Sequence, residues 1–415
     1  MNIAYLCADR GVPVLGHKGA SVHVREFVTA LAGLGHEITL LCSNLGEGNG
    51  RPSARMIELP LDPSPAEVAQ QGAKLGLGNP ETDQVLRREL REIAADGQLT
   101  ARALTLLDEA GVRSEALYER YALFHRAGEQ LAQALGIPRI LEVNAPLVEE
   151  QERFRGLRLK ALAAEMESET LRRADHIVAV SAAVKERVLA CGVPAERVTV
   201  LPNGVDTTRF HPGVSKQPIQ ERYGLAGKSV IGFVGSLKPW HGMDFLLDAF
   251  EQTVAALPEA VLLIVGNGPG MADLQLRVAH ESLEGRVILA GHVPHAEIPG
   301  YLAAMDLTVA PYAAQDGFYF SPMKIVESLA AGRPVVAPNL GQIADLIQSG
   351  VTGLLYPPGD REAFSRQIVS LLNDRPRLHA MGRAATAMAQ TAFSWQKNAR
   401  WVTARMAQLS QARSS

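Results

Sequence analysis

The chain has few of the residues that build disulfide or metal frameworks. It holds three cysteines, Cys7, Cys42 and Cys191, which lie far apart and form no CxxC pair. This usage is typical of a reducing compartment and offers no cysteine framework for a metal. Cys7 and Cys42 lie in apolar, strand-like segments, where buried structural thiols are expected. The formal net charge of −3 argues against a general nucleic-acid binder.

Long apolar runs are also missing. No stretch reaches the roughly 18 consecutive apolar residues of a transmembrane helix, so none is predicted. The start, MNIAYLCAD, has no basic region and is interpreted as a strand rather than a signal peptide. We therefore expect a cytoplasmic protein, and peripheral contact with the inner face of the membrane stays open.

What the chain does have is the composition of a globular α/β protein. Its 415 residues are 47% hydrophobic and 20% charged, and the length favours two or three domains. Strand-like runs alternate with helical patterns, which predicts open parallel sheets with helices on both faces. The strand-like segments are 3–8, 37–43, 139–146, 176–181, 198–202, 230–237, 260–266, 286–291, 307–312, 334–338 and 353–357.

A Pro/Gly-rich stretch at 201–213 separates two sets of these elements. We predict two doubly wound domains, 1–203 and 204–393, that face each other, with ligands beyond the carboxyl ends of the strands. Residues 394–415 form a C-terminal helix that could cross back to the first domain. Residues 62–135 are polar and too long for an ordinary βα connection, so a helical insertion is predicted there.

The stretch SPMKIVESLAAGRPVV, residues 321–336, places two charges on a short apolar helix. Ser321 suits an N-cap and Pro322 the first helical position, which predicts a helix over 322–331. Lys324 and Glu327 are three residues apart, so they share a face near the end of the helix that attracts anions. The pair is either a surface ion pair or part of an anion and hydroxyl site.

Other loops follow predicted strands. In GHKGASVH, Gly16 and Gly19 open a helix and allow close backbone approach, which is typical of a phosphate site, and His23 follows in the helix. In GSLKPWHG, Lys238 and His241 supply cationic donors suited to a diphosphate. The loop VGNGPG is only a partial glycine fingerprint, and a simple tight turn is equally compatible with it.

Several of these segments together resemble the motifs of one known family. The segment SPMKIVESLAAGRPVVAPNLGQIADLIQSGVTGLLYPPGD is similar to the signature of the family 4 glycosyltransferases. KGASVHVREFVTALAGLGHEITLL, RADHIVAVSAAVKERV, VLPNGVDTTRF, GSLKPWHGMDFLLDAF and YLAAMDLTVAPY resemble it too. The resemblance implies the GT-B fold of two facing Rossmann-like domains. It also implies retaining, metal-independent transfer of a sugar, without a cofactor, from a nucleoside diphosphate sugar to a glycan, lipid-linked or small-molecule acceptor.

The resemblance also implies roles for particular residues. Glu327 matches the family's ribose-binding glutamate, and Val293 falls where backbone groups read the base. The donor is expected mainly in the second domain and the acceptor mainly in the first. The predicted catalytic residues are Lys238, His241, Lys324 and Glu327. The other predicted donor contacts are Gly16, Gly19, Ser236, Val293, Ser321, Pro322 and Met323. The predicted acceptor-side residues are His23, Arg120, Glu142 and Asn144.

The chain departs from the family pattern on the donor side. Ser236 and His241 stand where a GRxxxxKG pattern has arginine and lysine, and Lys238 can substitute for them. Tyr319 replaces an acidic residue eight positions before Glu327. A non-catalytic sugar-nucleotide-binding protein is therefore an alternative, as is a sugar-nucleotide epimerase on the same fold.

The first domain departs as well. In ALYERY, Tyr118 and Arg120 occupy the positions of an HxH-like motif. The segment 149–173 combines an apolar stripe with four cations, and it is either an ordinary surface helix or the border of an acceptor or anionic-lipid surface. These cations are Arg153, Arg155, Arg158 and Lys160.

Overall fold

The computed structural model describes residues 1–48, 50–77, 82–280, 283–314 and 317–414. The chain divides into two compact units. The first unit comprises Met1–Pro202 together with Asn398–Ser415, and the second comprises Asn203–Lys397. Among the described residues, no helix is both long enough and apolar enough to cross a bilayer.

The described part of the first unit is built on one parallel sheet. Its strands are β1 (Asn2–Cys7), β2 (Glu37–Cys42), β3 (Arg55–Glu58), β4 (Ala116–Arg120), β5 (Arg139–Val143), β6 (His176–Ala179) and β7 (Val198–Val200). Its helices before the boundary are α1 (Gly19–Gly33), α2 (Pro65–Lys74), α3 (Gln84–Glu109), α4 (Ala127–Leu135), α5 (Leu147–Phe154), α6 (Lys160–Arg172) and α7 (Ala182–Ala190). The strand order is β3-β2-β1-β4-β5-β6-β7. The order reverses between β1 and β4, the place where ligands bind in open α/β sheets.

The predicted helical insertion over 62–135 is wrong in one respect, because it contains the central strand β4. This strand pairs in parallel with both β1 and β5. Its charged sequence, ALYER, does not look like a buried strand. Glu119 lies in the core only because Arg139 Nη1 donates to its Oε2 over 2.8 Å. The burial of this charged strand thus depends on a residue 20 positions away in the sequence.

The segment 149–173 is not one continuous helix. α5 ends at Phe154 and α6 begins at Lys160, with Gly156 at a φ of +78° between them. Arg155, Arg158 and Lys160 each pair with a carboxylate of the first unit. These contacts fit the interpretation as an ordinary helical surface.

The described part of the second unit is also a doubly wound sheet. Its strands are β8 (Ser229–Val234), β9 (Ala260–Val265), β10 (Val287–Gly291), β11 (Leu307–Val309), β12 (Val335–Pro338) and β13 (Gly353–Tyr356). Its helices and the terminal helix are α8 (Gln217–Tyr223), α9 (Met243–Ala256), α10 (Met271–His280), α11 (Ile298–Ala303), α12 (Met323–Ala330), α13 (Gln342–Leu346), α14 (Arg361–Asn373), α15 (Arg375–Ala392) and α16 (Trp395–Ser414). The strand order β10-β9-β8-β11-β12-β13 reverses between β8 and β11. Two apolar clusters pack on the two faces of the sheet.

The helix that carries the charged pair is α12, one residue shorter at each end than the predicted 322–331. The predicted N-cap is wrong, because Pro322 occupies that position without a side-chain cap. The Ser321 hydroxyl instead accepts a hydrogen bond from the Asn203 backbone N–H over 2.9 Å, and its carbonyl accepts one from Asn203 Nδ2 over 2.7 Å. Ser321 therefore fixes the loop that leads into α12.

Candidate functional site

Two loops pack backbone against backbone beyond the carboxyl ends of β8 and β9. Gly235 N donates to Val265 O over 2.9 Å, and Leu237 N donates to the Asn267 carbonyl over 3.1 Å. A Cβ on Gly266 would lie 1.8 Å from Gly235 O, so only glycine fits there. The glycines of VGNGPG thus serve the tight packing of these two loops.

Lys324 does not lie on an exposed helix end as expected. Its ammonium lies over the Phe233 ring, 4.4 Å from the centroid, and 5.1 Å from the centroid of Tyr312. A Cβ on Gly235 would be 2.6 Å from Nζ, so the charge lies directly against the turn after β8. Among the described residues, this buried nitrogen has no hydrogen-bond partner.

The electrostatics of Lys324 follow from that position. Burial lowers the pKa of the ammonium to about 7, although the charge of Glu327 acts in the opposite direction. The ring faces give only part of the stabilisation that water gives an ammonium, because they offer no hydrogen-bond acceptor. Lys324 is therefore a desolvated cation whose donors can serve an anion placed at the Gly235 turn.

His241 is not the cationic donor that the sequence indicated. It is buried, and its Nδ1 contacts the Ser236 carbonyl, which can only accept, so Nδ1 carries the proton. Burial, together with the positive charges of Lys324 and Lys238, lowers the pKa of His241 to about 3. The imidazole is thus neutral at pH 7, and it supports the loop through Ser236 and an edge contact with Tyr312 at 5.1 Å.

Two other polar residues of the loop 235–242 lie nearer the surface. Lys238 is half-buried with Nζ 5.8 Å from the centroid of the Trp240 ring, and Ser236 is exposed. Tyr319, which replaces an acidic residue, packs its ring 4.3 Å from that of Phe320. An aromatic surface therefore stands where the resemblance implied a carboxylate.

Glu327 is buried and held in place by a chain of donors that the sequence did not indicate. Arg209 Nη2 lies 3.2 Å from His295 Nδ1. Because a guanidinium only donates, Nδ1 must accept, so neutral His295 carries its proton on Nε2. That proton is donated to Glu327 Oε1 over 2.7 Å. Since 32 residues separate His295 from Glu327 along the chain, no local spacing reveals the contact.

The other predicted donor residues of the second unit surround this helix. Pro322 and Met323 form the start of α12, and Ser321 is the residue fixed by Asn203. Val293 is buried in the connection from β10 to α11, two residues before His295. The second unit thus brings Lys324, Glu327 and the predicted base-reading loop together.

The glycine loop after β1 lies in the first unit. α1 begins at Gly19, with Lys18 at the N-cap position. Arg25 Nη1 donates to Gly16 O over 2.7 Å, and Gly16 N donates to Pro13 O over 2.9 Å. The loop is therefore fixed by α1 itself.

His23, Tyr118 and Glu142 form a buried cluster at the carboxyl edge of the first sheet. His23 Nε2 lies 2.9 Å and 3.0 Å from the two oxygens of Glu142, and the Tyr118 hydroxyl donates to Oε1 over 2.9 Å. Burial alone would raise the pKa of Glu142, but His23, Arg120 and Tyr118 together lower it below its usual value. The tyrosine that departs from the HxH-like pattern is thus a partner of this carboxylate.

Arg120 and Asn144 lie at the same edge of the first sheet. Arg120 ends β4 opposite Glu142 of β5, and its Nη1 is 3.7 Å from Glu142 Oε2. Asn144 follows two residues after Glu142, just beyond the end of β5. Three of the four predicted acceptor-side residues, His23, Arg120 and Glu142, therefore meet in one place, and Asn144 follows just beyond the strand. Among the described residues, no group of three or more His, Cys, Asp or Glu side chains could hold a metal ion.

Fold and sites together define a two-unit α/β protein of the kind that binds nucleotides beyond parallel strands. Residues 228–374 match the family described as glycosyl transferases group 1, and residues 18–204 match the glycosyl transferase 4-like domain. The chain belongs to the family 4 glycosyltransferases, and its architecture is the GT-B fold. The resemblance found in the sequence is confirmed.

Curated relatives match over part of their length. The chain is 31% identical over 214 residues to the lipopolysaccharide core biosynthesis mannosyltransferase LpsB of Rhizobium meliloti, covering 50% of this chain and 59% of that protein. It is 30% identical over 226 residues to the GDP-mannose-dependent alpha-(1-6)-phosphatidylinositol monomannoside mannosyltransferase of Mycolicibacterium smegmatis, covering 54% and 59%. The match thus spans about three fifths of each relative.

A solved structure matches nearly the whole chain. The Anabaena protein HepE in complex with UDP superposes with a TM-score of 0.71 at 21% identity, covering 99% of this chain and 100% of that one. The same protein has been solved with UDP-glucose. At this identity the likeness concerns the fold.

Proposed function

We propose that the protein is a retaining glycosyltransferase that moves a sugar from a nucleoside diphosphate sugar to an acceptor hydroxyl. Family membership supports the class of reaction. The observation that supports binding of the donor is Lys324, whose buried ammonium has no hydrogen-bond partner among the described residues and lies against a glycine turn beyond β8. Such a cation is suited to the diphosphate of a donor.

In this proposal the donor is held by the second unit. Lys324 and the half-buried Lys238 balance the diphosphate, and the backbone amides at the start of α12 add donors. Glu327, oriented by His295, accepts hydrogen bonds from the ribose hydroxyls. The charge is balanced by side chains and amides, so the reaction requires no metal and no cofactor.

The transfer step follows from that arrangement. The bond between the sugar C1 and the diphosphate oxygen breaks, and the acceptor oxygen bonds to C1 on the same face. The acceptor proton passes to the leaving diphosphate. Negative charge develops on the diphosphate in the transition state, where the lysines stabilise it most. The acceptor is assigned to the first unit, at His23, Arg120, Glu142 and Asn144.

The first donors to test come from the relatives and the structural neighbour. Two relatives are named as mannosyltransferases, one of them GDP-mannose-dependent, and the neighbour was solved with UDP and UDP-glucose. Binding of GDP-mannose and UDP-glucose is measured by thermal shift, with ADP-glucose added to cover a third base. Turnover of each donor, with and without acceptor, is followed by NMR, which also reports the anomeric configuration of the product. Release of the free nucleoside diphosphate with a retained product supports the proposal, and an inverted product contradicts it.

A second candidate is a non-catalytic sugar-nucleotide-binding protein. The observation that favours it is the neutral, buried His241 at a position where the family pattern has a lysine. The two candidates differ in one measurement. If a donor binds tightly but is neither hydrolysed nor transferred with any acceptor offered, the binding protein is the better assignment.

A further inference from the structure

Arg120 is a mostly buried guanidinium that lacks hydrogen bonds. Its side chain is 12% exposed and its Nη1 is buried, yet it donates no hydrogen bond to any described residue. A guanidinium has five N–H donors and cannot lose its charge in a protein. Buried donors are almost always satisfied, so an unsatisfied one calls for a ligand or a water molecule.

Glu142 does not account for this arginine. Its nearest oxygen is 3.7 Å from Arg120 Nη1, which is too long for a hydrogen bond. Both oxygens of Glu142 are already engaged by His23, and one also by Tyr118. The carboxylate therefore offsets part of the charge of Arg120 without serving its donors.

The position of Arg120 is one where ligands bind. The residue lies at the carboxyl end of β4, opposite Cys7 at the end of β1 and opposite Glu142 of β5. The strand order of the first sheet reverses between β1 and β4, which opens a crevice at this edge. The donors of Arg120 thus lie at the switch point of the sheet.

A second unsatisfied group follows the neighbouring strand. Asn144 comes directly after β5, two residues after Glu142, which pairs with Arg120 across the sheet. Its Oδ1 is buried and has no partner among the described residues. The edge therefore offers a charged donor at the end of β4 and a neutral acceptor just beyond the end of β5, the strand paired with β4.

We propose that the acceptor of this protein carries an oxyanion that binds Arg120, next to a hydroxyl or amino group that donates to Asn144. The assignment of this ligand as the acceptor rests on the function proposed above. A carboxylate and a phosphate both match the two parallel N–H groups of a guanidinium. The shared chemistry is an acidic sugar or sugar-like acceptor.

The test measures binding directly, so it does not depend on turnover. Isothermal titration compares glucuronate, glucose 6-phosphate and glucose on the wild-type protein, and the two acids separate a carboxylate from a phosphate. We expect at least one acid to bind about tenfold or more tightly than glucose, as for a hydrogen bond to a charged group. If neither acid binds more tightly than glucose, the proposal is wrong.

Variants test whether the preference for the acid over glucose arises at this edge of the first sheet. Arg120→Gln should lower the affinity for the acid to that for glucose. Arg120→Lys should keep part of the preference, because lysine keeps the charge but lacks the two parallel N–H groups of a guanidinium. Arg87→Gln, at an exposed arginine of α3, is the matched control and should change nothing. A preference that survives in Arg120→Gln overturns the proposal.

A further variant keeps the test decisive if Arg120→Gln fails to fold. Asn144→Asp leaves Arg120 in place and adds a negative charge beside the bound oxyanion, so it should weaken binding of the acid and not of glucose. Equal affinity for the acid in wild type and Asn144→Asp contradicts the proposal. Acceptor-independent donor hydrolysis, measured in parallel, reports separately on the proposed function.

Discussion

Replacing Lys324 by methionine should stabilise the second unit and weaken donor binding at the same time. Methionine has a similar length and no charge, so Lys324→Met removes the desolvated ammonium that lies on Phe233 and Tyr312. The pKa of Lys324 is about 7 in the folded protein, against a reference value of 10.5. A difference of this size corresponds to about 5 kcal/mol at pH values below 7.

The sign of the pH dependence follows from the direction of that shift. Between pH 7 and about 10.4 the unfolded chain holds one more proton at this residue than the folded protein does. The contribution of Lys324 to the free energy of unfolding therefore rises with pH by about 1.4 kcal/mol per unit across this window. Below pH 7 both states are protonated and the penalty is constant. Lys324→Met should thus be most stabilising at pH 6 and nearly neutral at pH 10.

The assay is urea unfolding from pH 6 to 10, with hydrogen exchange on peptides of the second unit to report that unit alone. Lys228→Met, at an exposed lysine of the same unit, is the control and should show no such trend. In parallel, affinity for UDP and GDP at pH 6 should fall about tenfold or more in Lys324→Met. A variant no more stable than wild type at pH 6, with a difference that does not change with pH, would refute the electrostatic argument. Unchanged nucleotide affinity would refute the assignment of Lys324 to the diphosphate.

Four further outcomes are expected. Glu327→Gln should weaken binding of the nucleotide by about 1.5–3 kcal/mol in calorimetry, because a charged acceptor for the ribose is lost. His295→Ala should raise the KM for the donor about tenfold with little effect on kcat, and His295→Gln, which keeps a donor for Glu327, should recover part of it. Lys238→Ala should lower turnover about tenfold without loss of stability, since the side chain lies on a surface loop; normal kinetics would remove it from the site. His125 is buried, which would lower its pKa, but Asp96 and Glu92 raise it to about 9. Its contribution of about 3 kcal/mol to the free energy of unfolding is complete below pH 6.5 and is lost as pH rises through 9. The free energy of unfolding of Lys324→Met should therefore fall between pH 6.5 and 9, and a flat profile contradicts the prediction.

Sequence periodicity predicted much of the fold. Eleven of the strands described lie within or next to segments predicted from apolar runs, since a buried parallel strand must be apolar on both faces. β4 was missed because its sequence is charged, and the buried Glu119 in it is tolerated only through an ion pair with Arg139. β3 was missed because RMIE is short and half-polar, as an edge strand can be.

The candidate site was predicted in part. Lys324 and Glu327 were indicated by their positions at a helix start, Glu142 by its place in a predicted strand, and Arg120 only by its match to a family motif. The sequence did not indicate the protonation or the hydrogen-bond partners of these residues, because both depend on groups that the fold brings together. Lys324 was expected at an exposed end, and His241 was expected to carry a charge. Burial against Phe233 and Tyr312 decides both.

The sequence by itself determined the class of this protein, its alternation of strands and helices, and the loops that carry candidate chemistry. These features are local, so the hydrophobic periodicity and the turn residues of the sequence indicate them directly. Only the tertiary structure decided that Arg120 and Asn144 each have an unsatisfied buried polar atom, that His295 orients Glu327, and that Lys324 is a desolvated cation. Each depends on residues distant in sequence, and the energy of a buried charge is set by its surroundings in space rather than by its neighbours along the chain.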